Sequence, residues 1–128
     1  MCRWKTPRSA PQVARNRAAE VRSATRIALA DGTPERQRMR ALRGLHGVEW
    51  ATASVLLHLA CPDRWPIIDV RALHALGVQG LTGYNYALWE EYIETFRDLV
   101  RRAGVDGRTV DRALWQWSAA QDASPFGA

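Results

Sequence analysis

An all-α domain of about six helices is what this sequence predicts, and three observations carry the prediction. Apolar residues recur three and four apart along most of the chain, while the alternating runs that mark strands are absent. Glycine, proline and aspartate fall between the apolar stretches, where helices stop and start. The chain has 128 residues, 47 % of them apolar and 24 % charged, which makes one folded core and leaves no room for a second full one.

A first helix is predicted over 10–30, with Ala14, Ala18, Val21, Thr25 and Ala28 on one stripe and Asp31-Gly32 ending it. Thr33, Pro34 and Glu35 then supply an N-cap, a proline at the first helical position and an acid in the first turn. The buried side of this second helix reads as Met39, Leu42 and Leu45, and Gly44 and Gly47 break it. Trp50 to Ala60 is apolar nearly all round, which belongs at the centre of a core, and Pro62 stops it. Trp65-Pro66-Ile67-Ile68 reads as extended, because a residue before proline avoids the helical region. Asp69 then stands at the N-cap of a short helix, Val70–Leu76, with Gly77 and Gly80 as punctuation after it.

The cleanest helical spacing is Trp89, Tyr92, Ile93, Phe96, Leu99 and Val100, ending near Ala103-Gly104. After Asp106-Gly107, Val110, Ala113, Leu114 and Trp117 repeat it for a last helix. The elements make one helical domain over 1–119, with 120–128 read as a frayed tail.

Several classes are excluded early. No stretch approaches the roughly 18 apolar residues of a membrane span, so a membrane is not among the expected partners. The start, Met1 to Arg8, is basic but leads into no apolar run of the signal-peptide kind, and a cytoplasmic location is expected. Cys2 and Cys61 make neither a disulfide framework nor a four-thiolate cluster, and His46, His58 and His74 lack metal-ligand spacing; no metal and no cofactor are expected. Charge is distributed unevenly. Residues 1–43 hold ten arginines and Lys5 against three acids, a net +8, whereas 44–128 carry a net −3. A basic third of this kind fits a polyanion-facing surface, and equally a solvated face in an arginine-rich chain.

The segment with the most chemical content runs from Leu42 to Ser54. Between two helices, Arg43, Gly44, His46, Gly47, Val48, Trp50 and Thr52 form a hairpin able to point backbone N–H groups outward, beside the positive end of the following helix. Such a device grips a phosphate backbone without reading bases. An ordinary helical hairpin that needs glycine to turn has the same composition.

Leu45-His46-Gly47-Val48, the apolar helix after it and Trp65-Pro66-Ile67-Ile68-Asp69 together resemble the helix-hairpin-helix base-excision DNA glycosylase superfamily, as a single-lobe or truncated member. Residues 34–76 carry the likeness; the flanking helices agree only in number and kind. The resemblance implies that Gly47 and Val48 belong to a DNA-gripping hairpin and that Asp69 is the catalytic carboxylate. A fixed carboxylate suits the chemistry, since breaking an N-glycosidic bond develops positive charge on the sugar. Asp69 as a plain helix N-cap needs no function, and both roles can coincide.

Three departures from the family pattern stand out. Ala51 occupies the position of the Schiff-base lysine found in bifunctional members, which excludes a lyase step through a hairpin lysine. Glu49 replaces the second glycine and opposes a phosphate unless it turns away or pairs. The chain is hardly longer than one lobe, so the cleft is completed by the N-terminal helix and a second copy in a homodimer, or it is incomplete.

Of six tryptophans, at least two among Trp89, Trp115 and Trp117 are expected in the core, and Trp50 reads as core cover or as a wedge beside the hairpin. Tyr84 and Tyr86, in a loop after glycines, are base-pocket candidates. The leading expectation is a duplex-DNA-binding, monofunctional DNA glycosylase. The alternatives are a non-catalytic DNA-binding module on the same scaffold, and an all-α enzyme or interaction protein with a small-molecule or protein partner.

Overall fold

A computed structural model of the chain describes residues 10–78 and 83–123. The basic start with Cys2 and Lys5, Gly80 and the last five residues of the expected tail lie outside the described residues. All regular structure among the described residues is helical, in seven helices. They are α1 (Ala10–Val13), α2 (Ala18–Leu29), α3 (Glu35–Arg43), α4 (Trp50–Ala60), α5 (Val70–Ala75), α6 (Tyr86–Ala103) and α7 (Gly107–Ala123). The chain divides into two compact units at Ala60/Cys61.

In the first unit α2 packs on α3, and α4 packs on both. The expected first helix is two helices, because the chain turns at Asn16, whose side-chain amide and backbone N–H both donate to the Val13 carbonyl (2.9 and 3.1 Å). Of its expected stripe Ala28 is buried, joined by Ala24, whereas Ala14, Ala18, Val21 and Thr25 are exposed. Small residues at 24 and 28 suit a close approach of the neighbouring helix α3. Arg38, 1 % exposed, reinforces that contact from α3 by donating Nη1 to the Ala28 carbonyl at 2.7 Å. One arginine of the basic third is therefore spent inside the fold.

The start of α3 differs from expectation as well. Pro34, at φ −60 and ψ 145, occupies the N-cap, and no side chain caps the helix; the Thr33 N–H turns back to the Ala30 carbonyl. Met39 and Leu42 are buried as expected, and Leu45 is half-buried. Helix α4 has the expected bounds, with Ala53, Val55 and Leu57 buried. Yet Leu59 is exposed, and Thr52, Ser54 and His58 are buried, so the helix is less uniformly apolar inside than its composition suggests.

In the second unit α7 packs against α5 and α6. Trp65, Ile68, Leu73, Trp89, Tyr92, Ile93 and Phe96 are buried. Gly104, at φ +67, ends α6 in the left-handed conformation, where its N–H bonds the Val100 carbonyl. Trp89 is core, but Trp115 and Trp117 are about half exposed, against the expectation of two core tryptophans in these helices; Trp65 takes the second place. The buried positions of α7 are Gly107, Val110, Asp111 and Ser118, so the helix is rotated from the expected stripe of Val110, Ala113, Leu114 and Trp117. Hydrogen bonding explains the rotation. Asp111 and Ser118 each serve a partner elsewhere in the unit, and burying them turns Ala113 and Trp117 outward. Helix α7 also continues to Ala123, into the stretch expected to fray, because Ser118 bonds His74 at 2.8 Å and Asp122 pairs with Arg71 at 2.7 Å.

Candidate functional site

The predicted hairpin is a six-residue connection, 44–49, between α3 and α4. Leu45 accepts the Val48 N–H at 3.3 Å across a tight turn, and Gly47 sits at φ +76. Glycine at the third position of such a turn is a conformational requirement, since a Cβ there clashes with the backbone. Val48 is 4 % exposed and anchors the turn. Thr52 is buried too, so its side chain packs rather than reaching outward. His46 is exposed at the tip, and the Arg43 guanidinium lies over the half-buried Trp50 ring at 4.1 Å.

Not every N–H of the hairpin points at solvent. Gly44 and Leu45 donate back to Arg40 and Leu42, closing α3. The His46 N–H, expected to be outward and available, donates to Asn16 Oδ1 at 2.8 Å, and Asn16 Nδ2 returns a bond to the His46 carbonyl at 2.9 Å. The N–H groups of Gly47 and Glu49 have no partner among the described residues, and the N-terminus of α4 follows them directly. Glu49 is exposed, and its carboxylate has no ion-pair partner among the described residues. These two open donors lie on either side of the bonded Val48 N–H, at the head of a helix, where the dipole favours negative charge.

The second unit holds Asp69. It caps α5 as expected, with extended backbone and Oδ1 accepting the Ala72 N–H at 2.8 Å. The preceding segment is pinned from two directions at Ile67. Asp111 Oδ1 accepts its N–H at 3.3 Å, and the Tyr92 hydroxyl donates to its carbonyl at 2.9 Å. An irregular segment held at both backbone polar groups of one residue, in two successive peptide groups, presents the next side chains reproducibly.

Tyr84 belongs to the same neighbourhood. Partial burial and, second to it, the Asp69 charge push its phenol above the ordinary tyrosine value. Tyr92 is raised much further, by burial first and then by Asp111, Asp69 and Tyr84. Asp69, Tyr84, Tyr92 and Asp111 thus form one electrostatic cluster. Tyr86 is not part of the loop but the first residue of α6, which Asn85 caps by accepting the Leu88 N–H at 2.8 Å.

Sequence reasoning missed Asn16, Tyr92 and Asp111. Each carried a signal. Asn16 is a turn former inside a helical run, Tyr92 is a hydroxyl on an otherwise apolar stripe, and Asp111 is a carboxylate next to the core position Val110. A cleft of about 170 Å³ between α5 and α6 touches Tyr92 and Leu73 but neither Asp69 nor Tyr84. No group of three or more metal-ligating side chains occurs among the described residues, and no helix among them is long and apolar enough to cross a membrane. No protein-family model, curated protein or solved structure matches the chain.

Proposed function

We propose that this chain binds duplex DNA through its hairpin and acts on it as a monofunctional DNA glycosylase, with Asp69 as the catalytic carboxylate. The observation that carries the reading is the hairpin itself. A tight turn through Gly47 is anchored by buried Val48 and leaves the Gly47 and Glu49 N–H groups without a partner among the described residues, at the head of α4. Exposed arginines on α2 and α3, among them Arg22, Arg26, Arg36 and Arg40, add the charge a phosphate backbone selects.

In this reading a target base leaves the stack, and its N-glycosidic bond breaks with the electron pair departing on the base. The Asp69 carboxylate faces the cationic sugar that develops. It then takes a proton from the water whose oxygen bonds to the anomeric carbon. Tyr84 is close enough to Asp69 to feel its charge and offers a ring for the extruded base. With alanine at 51 and no lysine among the described residues, the product is an abasic site in an unbroken strand.

One observation favours a non-catalytic DNA-binding module instead: Asp69 already spends Oδ1 on capping α5. Two variants separate the roles. Asparagine caps a helix as well as aspartate does, so Asp69→Asn keeps the fold and removes only the negative charge, whereas Asp69→Ala forfeits about 0.5–2 kcal/mol of cap. Release of free base is to be followed from duplexes carrying alkylated, deaminated or oxidised bases. Turnover that vanishes in Asp69→Asn at unchanged duplex affinity supports catalysis. Wild-type binding with no release from any of these duplexes supports the binding module.

A further inference from the structure

The hairpin tip is held from outside its own helices, and the residue that holds it has an exposed arginine on each side. Asn16 lies in the turn between α1 and α2, where Nδ2 and its own N–H both bond the Val13 carbonyl, so the side chain is fixed from behind. From there the amide pairs with both polar groups of His46, at 2.8 and 2.9 Å, as one strand residue pairs with another. That reciprocal bond spans thirty residues of sequence. Arg15 and Arg17 flank Asn16, and both are exposed, the Arg17 side chain 88 % so. Consecutive Cα atoms are about 3.8 Å apart, so both guanidinium stems originate beside the residue that touches the hairpin.

We infer that the α1–α2 corner belongs to the same phosphate-gripping surface as the hairpin, with Asn16 as its positioning residue and Arg15 and Arg17 as additional contacts to the backbone of duplex DNA. The inference rests on the DNA reading of the hairpin. The corner also offsets Glu49. A carboxylate beside the two open N–H groups repels phosphate, and the corner bonded to His46, three residues before Glu49, carries two positive charges that act against it. The Asn16 bond takes the His46 N–H out of use as a phosphate donor and keeps Gly47 in the turn, so the hairpin needs no ordering when it binds. Arg17 contacts Glu20 only at 3.8 Å in solvent, and Arg15 bonds the neutral Gln12, so neither charge is committed within the fold.

The test is equilibrium binding of an undamaged duplex between about 50 and 200 mM salt, where each phosphate neutralised contributes about 0.9 to the slope of log K against log salt. Wild type, Asn16→Ala and the double variant Arg15→Gln/Arg17→Gln are compared. The double variant is expected to lose about 1.8 from the slope. Asn16→Ala is expected to bind roughly three- to tenfold more weakly at an unchanged slope, since it removes order rather than charge. Amide exchange at His46 is expected to accelerate in Asn16→Ala. Wild-type slope and affinity in both variants would overturn the inference while leaving the hairpin reading intact. A wild-type chain that does not bind the duplex overturns both. The arginine variant changes only exposed side chains, so the test survives even if Asn16→Ala folds poorly.

Discussion

Ile67 shows how a residue with no titratable group of its own is held in place by side chains that have one. Its N–H and C=O are both satisfied by side chains from other elements, Asp111 on α7 and Tyr92 on α6, two residues before Asp69. The Tyr92 phenol has to stay protonated to donate that bond, and burial together with two carboxylates and Tyr84 pushes it well above its unfolded value of 10.0. The consequence for stability has a definite sign. Below about pH 10 the folded and unfolded chains hold the same proton, and nothing changes. Above it the unfolded chain releases the proton first, so stability falls by up to about 1.4 kcal/mol per pH unit for this group. Tyr84 adds to the fall with the same sign. Denaturant unfolding from about pH 9 to about pH 12 is expected to show this decline in the wild type and a shallower one in Tyr92→Phe. The variant starts roughly 1 kcal/mol lower for the lost hydrogen bond. Parallel curves for the two proteins would show that Tyr92 does not carry the alkaline sensitivity.

Helix α7 is where pattern and structure part most clearly, and the reason is polar burial. Apolar spacing pointed to Ala113 and Trp117; the fold buries Asp111 and Ser118 because the Ile67 N–H and the His74 ring pair with them. Hydrophobic periodicity assigns a cost to burying a carboxylate or hydroxyl and cannot see the partner that offsets it. Helix α6 has few such polar duties on its inner face, and its stripe through Trp89, Ile93 and Phe96 was fully legible. The same contrast separates α4, bounded correctly by Trp50 and Ala60, from the broken first helix, where a local side-chain bond at Asn16 decided the matter. Gly107 marks how tightly α7 is seated. Its N–H donates to Asp63 Oδ1 at 2.6 Å, and a Cβ there would overlap the Pro62 carbonyl. Because that neighbour is backbone, Gly107→Ala is expected to cost about 1–3 kcal/mol of stability by denaturant titration, like other overpacking changes. Ser118→Ala leaves His74 Nδ1 without its partner but seats no new atom, so the smaller loss belongs to it. A neutral Gly107→Ala would mean that α7 sits looser than this contact implies.

At the scale of the whole chain, charge and chemistry fall in different halves. The net +8 of residues 1–43 precedes the hairpin, while Asp69, Tyr84, Tyr92 and Asp111 lie in the unit from Cys61 onward, within the net −3 of 44–128. In the proposed reading the first unit supplies charge for a polyanion and the second the carboxylate Asp69. The turn through Gly47 and the N-cap of Asp69 were readable in the sequence because both depend on neighbours in the chain: a glycine in a turn, an aspartate three residues before the N–H it caps. The clamp at His46 and the pins at Ile67 were not, since their partners lie thirty, forty-four and twenty-five residues away.

The most direct measurement of the central claim compares affinity for two matched duplexes at moderate salt, one undamaged and one bearing a cationic pyrrolidine abasic-site analogue. The analogue carries the charge that Asp69 would meet in the transition state, and mimics of this kind bind about 10²-fold or more above ground states. A large preference for the pyrrolidine duplex that disappears in Asp69→Asn is the predicted result. Equal affinity for the two duplexes, unchanged by that substitution, would contradict it.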